Sequence, residues 1–195
     1  MGRIKSALEI ALEKTESVKG DKSSINLFEA KQKGKKLANE FLAEPEKSLL
    51  DEEIKKCAKE EKESLKQGIY DVLVSALVLP DTETDLSRVE SAAKGLESII
   101  GNSRFSSLAK QLSQILRQYL GEAAQYEEAI KQQYAPKLRQ KEEELARRIG
   151  RKISLDPFQD PEFVAFYNQN MNALKENYQA VIDQAREAAG QFFGV

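Results

Sequence analysis

Apolar residues recur at three- and four-residue spacing along most of this chain, and that rhythm commits nearly every segment to helix. The apolar face of an α-helix comes round about every 3.6 residues, whereas a half-buried strand alternates at every second one. Ile4, Leu8, Ala11, Thr15 and Val18 keep the helical rhythm, and so do Leu86, Val89, Ala93, Leu96 and Ile100. Gly20, Pro45, Pro80, Gly101, Gly150, Pro157 and Pro161 punctuate it. We expect an all-α fold, an elongated helical bundle of about six helices, with helix in more than about two-thirds of the residues against a base rate near one-third.

The first helix should end at Lys19-Gly20, where glycine suits a C-terminal cap. A second, capped by Ser23 or Ser24, carries Leu27, Phe28, Leu37, Phe41 and Leu42 and stops before Pro45, with Gly34 weakening its middle. A third starts near Ser48 and runs through Ile54, Ala58 and Leu65 into the apolar run Ile69 to Leu79. A lone strand there would have nothing to pair with, so we read the run as the buried end of that helix and the centre of the core.

From Ser103 to Gly150 the pattern scarcely pauses, and from Tyr119 it prefers an eleven-residue repeat: Tyr119 and Ile130; Ala123, Tyr134 and Leu145; Leu138 and Ile149. Such a period implies a nearly straight helix, and Pro136 should kink it near Gln132 to Pro136 with helix on both sides. Asp160-Pro161-Glu162 combines a capping acid with proline at the first helical position, so the last helix begins there. Its stripe Tyr167, Met171, Leu174, Tyr178, Val181, Ala185, Ala188 and Phe192 alternates by four and three, the seam of a coiled coil. A connection of about ten residues favours an antiparallel hairpin. We read residues 1–195 as one elongated domain, with 1–101 forming N-terminal helices and 102–195 the hairpin.

The hairpin's lengths do not match: at 1.5 Å per residue its first helix runs about 70 Å and its second about 48 Å. The uncovered end calls for the N-terminal helices, with Ile69 to Leu79 as filler, or for a second copy, and we favour a homodimer.

Function is constrained mainly by what is missing. The sequence has no histidine and one cysteine, Cys57, which removes the commonest general base and any soft tetrahedral metal site. There is no phosphate-binding glycine loop and no nucleophile elbow. Asp81-Thr-Glu83-Thr-Asp85 has Leu86 where a calcium loop needs glycine, so it and the Asp156, Asp160, Glu162 group read as helix caps. We therefore expect no catalytic, cofactor-binding or metal-binding residues. Thirty Lys plus Arg against 32 Asp plus Glu leave a net charge of −2, with no overall pull toward nucleic acid or an anionic membrane.

The function expected is that of a non-enzymatic interaction or assembly protein, bound to a protein partner or to itself. Its candidate surface is Tyr119, Tyr126, Tyr134, Tyr167, Leu174, Tyr178, Val181, Ala185 and Phe192. The alternative is a nucleic-acid or phosphate-binding protein using Lys31, Lys33, Lys35 and Lys36 with Arg147, Arg148, Arg151 and Lys152. No aromatics interleave these clusters, which weighs against it. The charged amphipathic start after Met1, the single cysteine and the lack of a long apolar stretch suit a cytoplasmic protein with no membrane span.

The opening Arg3-Ile-Lys-Ser-Ala-Leu-Glu-Ile-Ala-Leu-Glu-Lys-Thr15, with Asp160-Pro-Glu-Phe163 and Leu174-Lys-Glu-Asn-Tyr-Gln-Ala-Val-Ile-Asp-Gln-Ala185, resembles a group of uncharacterised bacterial helical proteins. The resemblance implies a bacterial cytosolic origin and brings no activity or site residues with it.

Overall fold

The computed structural model describes residues 7–45 and 50–194, with residues 7–23 given by their helical path alone. The expectations placed on Ile4 and Ser48, and on the faces of Leu8, Ala11, Thr15 and Val18, lie outside what is described. About 86% of the described chain is helical, in six α-helices with no strand, so the fold is all-α. The helices are α1 (Ala7–Ala43), α2 (Leu50–Lys56), α3 (Lys62–Ser75), α4 (Glu83–Ile100), α5 (Ser103–Ile149) and α6 (Pro161–Phe193). They form two compact units: residues 1–76 with 91–102, and residues 77–90 with 103–195.

In the first unit, α1 crosses α3 at two glycines. A Cβ on Gly34 would stand 2.1 Å from the carbonyl oxygen of Leu65, and one on Gly68 would stand 2.0 Å from that of Lys31. The backbones touch there, which only glycine permits. This corrects the reading of Gly34 as a weak point. Helix α1 also continues where a break was expected: it runs through Gly20 and Gly34, and Ser23 and Ser24 lie inside it rather than capping it. Packing against α3 over the second half of α1 buries Ala30 and Ala38 beside Leu65, Ile69 and Leu73, and outweighs a helix-propensity cost of about 1 kcal/mol for each glycine.

The single helix expected from Ser48 to Leu79 is divided. Residues 57–61 separate α2 from α3, and α2 is held instead by tertiary contacts: Lys33 Nζ lies 2.8 Å from Glu53, and the Ser98 hydroxyl donates to Asp51. Nothing in residues 57–61 is a strong breaker, so burial of Leu50 and Ile54 decides against local propensity. The apolar run stays helical only to Ser75 and is irregular from Leu77 to Pro80, where proline disfavours helix at Leu79. Ile69 and Leu73 are fully buried in the first unit, as expected of a core segment.

In the second unit, α5 and α6 form the antiparallel hairpin. Phe105 meets Phe192, Tyr119 meets Tyr178, Glu127 meets Tyr167 and Tyr134 meets Phe163, so one helix descends as the other rises. Helix α5 runs through Pro136 with helix on both sides and ends at Gly150, whose φ of 77° suits a left-handed cap. The fully buried position of α6 near Val181 is Ile182, and Val181 itself is half-buried. The buried stripe advances by eleven, through Phe163, Leu174 and Ala185, then Tyr167, Tyr178 and Ala189, then Met171 and Ile182. The strict four-three alternation is therefore corrected. A period of about 3.67 residues lets a nearly straight helix keep one face inward, and it matches the repeat of α5.

Helix α5 overhangs α6 at its C-terminal end, where residues 150–160 fold back along it. The Leu155 N–H donates to Glu142 Oε1 at 2.8 Å, and Leu155 and Ile153 are half-buried. The connector meets the overhang. Residues 77–90 join this unit through Lys175 to Asp81 at 3.1 Å and a two-pronged pair from Arg117 to Glu90 at 2.9 and 3.1 Å.

Candidate functional site

Most of the tyrosine-rich surface singled out from the sequence closes on itself inside the hairpin. Tyr119 is 1% exposed and packs on Tyr178 at 4.9 Å between ring centres. Tyr178 donates to Glu122 at 2.6 Å, and Tyr167 donates to Glu127 at 3.2 Å. Leu174 packs against the cluster of Ile130, Tyr134, Phe163 and Met171. Ala185 is buried, Phe192 sits edge-on to Phe105, and Val181 is half-buried. Tyr126 alone of the nine is exposed.

The most elaborate polar arrangement is where α6 begins. Asp160 caps α6, accepting the Glu162 N–H at 3.1 Å, with Pro161 at the first helical position as expected. The same carboxylate, only 8% exposed, accepts the Tyr134 hydroxyl at 2.9 Å and Lys141 Nζ at 2.7 and 2.9 Å. Lys141 also reaches Glu162 at 2.7 Å, and Lys137 reaches Glu162 at 2.9 Å. Asp160 and Glu162 together thus pin the start of α6 to three successive turns of α5, at Tyr134, Lys137 and Lys141. Phe158, Phe163, Phe166 and Tyr167 surround Tyr134 or one another with ring centres 5.2 to 6.0 Å apart.

Every charge in this lock is stabilised as it stands. Lys141 and then Lys137 lower the Glu162 carboxyl to about 2, and Lys141 holds Asp160 below the ordinary aspartate value. Asp160, then Glu162, raise Lys141, and desolvation raises Tyr134. Both acids have folded values below their unfolded ones, so their contribution is complete above about pH 4.5 and fades toward pH 2. We expect the melting temperature to fall steadily across that window in wild type and to fall less in Lys141→Met, measured by circular dichroism. Equal pH slopes would show that the lock does not stabilise the hairpin.

Beside the lock is a cleft of ≈ 270 Å³ whose walls include Leu145, Leu155, Pro161, Arg148, Glu144 and Asp156. Residues 147–152 are all exposed and include Arg147, Arg148, Arg151 and Lys152, none of which forms an ion pair among the described residues. The other basic cluster is different. Lys31 pairs with Asp71 at 2.9 Å and Lys33 with Glu53 at 2.8 Å, inside the first unit.

The two acidic stretches serve as caps. Thr82 and Asp85 form a reciprocal box at the start of α4, with Thr82 N–H to Asp85 at 3.0 Å and Asp85 N–H to the Thr82 hydroxyl at 3.1 Å. Asp156 accepts the Phe158 N–H at 3.0 Å. Among the described residues no group of three or more His, Cys, Asp or Glu is placed to hold a metal ion. Cys57 is a half-buried free thiol just beyond α2.

Sequence reasoning identified Asp160 as a cap and missed its long-range partners. The signal was faint: Lys137 and Lys141, four apart, face Asp160 and Glu162 only once the hairpin register is known. Phe158 was also missed, since an isolated aromatic between prolines carries no period.

No curated protein and no solved structure matches the chain. Its match is to a family model that spans residues 51–191, from α2 almost to the end of α6, and the chain belongs to that family, DUF6657, a family of unknown function.

Proposed function

We propose that this chain is a non-enzymatic interaction protein that binds another protein, and first of all a second copy of itself, through α1. One observation carries the reading: from Ser24 to Glu29 every residue of the helix is exposed, and three of the six are Ile25, Leu27 and Phe28. Phe28 is 63% exposed and Ile25 54%, and they lie three apart on one face. Exposed large apolar side chains clustered on a helix favour a helical partner over water. In the sequence Ile25 continues a seven-residue spacing from Ile4, Ala11 and Val18, the period of a two-helix seam. Because α1 precedes the segment matched by the family, such a contact would be additional to whatever the family shares.

The lock supports the non-enzymatic part. General acid-base work near neutral pH calls for groups poised there, whereas here the acids are lowered, Lys141 is raised, and Glu122 raises Tyr178 to about 12. A bacterial cytoplasmic setting belongs to the same proposal and suits the free Cys57; no described helix is long and apolar enough to cross a membrane. Phosphate binding through Lys31 and Lys33 is less well supported, since both are already paired with acids.

The test is the mass of the protein by light scattering over a hundredfold range of concentration, for wild type and for Leu27→Glu/Phe28→Glu. Wild type should rise from one to two copies, and the variant should remain single with an unchanged melting temperature. A wild type that stays single throughout would overturn self-association.

A further inference from the structure

We infer that the turn at the C-terminal end of α5 is a docking point for an acidic segment of another protein that carries one large apolar side chain. The inference rests on the reading of this chain as a protein-binding module, and it concerns a surface separate from α1. Three features converge within residues 141–161.

The first is charge. Arg147, Arg148, Arg151 and Lys152 fall within six consecutive exposed residues that contain no acid. The α5 dipole favours cations at this end, which explains the first two, but Arg151 and Lys152 lie beyond the helix. The second is apolar. Ile149 stands 55% exposed among these cations, and the adjacent cleft has Leu145, Leu155 and Pro161 in its walls. The third is size. At ≈ 270 Å³ the cleft has room for one large apolar side chain.

Together these select an apolar anchor flanked by carboxylates. The anchor enters the cleft, Arg148 on its wall meets a flanking carboxylate, and the outer cations steer the approach. Glu144 and Asp156 on the same walls argue for a peptide over a phosphodiester chain. They accept backbone N–H groups, which a peptide supplies and a phosphodiester chain lacks. No aromatic ring is among the lining residues to stack a base, which also weighs against single-stranded nucleic acid.

The experiment uses the full chain against an array of twelve-residue peptides. Each carries one Leu, Ile, Phe or Met among Asp and Glu at every placement; matched sets replace the apolar residue by Ser or the acids by Lys. The strongest binder and a phosphodiester oligonucleotide are then measured by fluorescence anisotropy with wild type, Arg148→Glu/Arg151→Glu and Leu27→Glu/Phe28→Glu. The expected result is selection of the acidic-apolar set, about tenfold or greater loss of affinity in the arginine variant, and no change in the α1 variant. No preference over the serine set would overturn the docking point, as would equal binding by the arginine variant. Tighter binding of the oligonucleotide with the same arginine dependence would reassign the turn to phosphate recognition. Loss of peptide binding in the α1 variant would move the contact to α1. Self-association through α1 is scored separately by light scattering, so the two readings fail independently.

Discussion

Replacing Gly68 by alanine should destabilise the first unit by about 3 kcal/mol, while the same replacement at Gly121 should stabilise the protein by about 0.5–1 kcal/mol. Both glycines lie inside helices. At Gly68 the new methyl would stand 2.0 Å from the Lys31 carbonyl oxygen and 3.1 Å from the Lys35 nitrogen, so two backbones have to move apart. The gain in helix propensity, about 1 kcal/mol, does not offset lost packing between α1 and α3. At Gly121 nothing lies within 4 Å of the added carbon, so only the propensity gain remains. Gly34→Ala should resemble Gly68→Ala, because the contact is reciprocal. Thermal melting checks all three, with a shift of roughly 6 to 12 °C downward at Gly68 and Gly34 and a small rise at Gly121.

Ile182→Asp should be the most damaging single change in the hairpin, at about 4–5 kcal/mol. Its side chain is fully buried, and a carboxylate there loses the packing of an isoleucine and has to be desolvated. Val181→Asp, one residue away, should cost about 1 kcal/mol, because Val181 is half-buried and its carboxylate can reach water. The contrast reads the register directly: a seam that advanced by four and three would reverse the order of the two variants.

These two comparisons mark the limits of what the residues disclose. Helical period, the Asp160-Pro161 start of α6 and the glycine ends at Gly101 and Gly150 are local, so they were legible and the structure places them as expected. Gly68 and Gly121 look alike in sequence, since each interrupts a helical pattern, and only the crossing partner separates a contact point from a soft spot. The division of α2 from α3 was illegible for a related reason: Glu53 and Asp51 are held by Lys33 and Ser98, far away in the chain. The hairpin was legible from lengths and its register was not. A stripe that steps by eleven parts from one that steps by seven only late in α6, at Ile182 against Val181 and Ala189 against Ala188. The lock followed the register: Asp160 announced itself as a cap, while Lys141 and Tyr134 became its partners only when α5 and α6 were aligned.

Most of the tyrosine-rich stripe packs within the hairpin, and the partner-binding face proposed above is that of α1. The most direct measurement is sedimentation velocity with thermal melting on Ile182→Asp and Phe28→Asp side by side, because Ile182 is fully buried and Phe28 is 63% exposed. Phe28→Asp should melt like wild type and sediment as a single copy where wild type forms pairs. Ile182→Asp should lose melting temperature in the single-copy state as well. A Phe28→Asp protein that pairs like wild type, together with an Ile182→Asp protein that melts normally and has lost only its pairing, would contradict the account and put the partner on the α6 stripe.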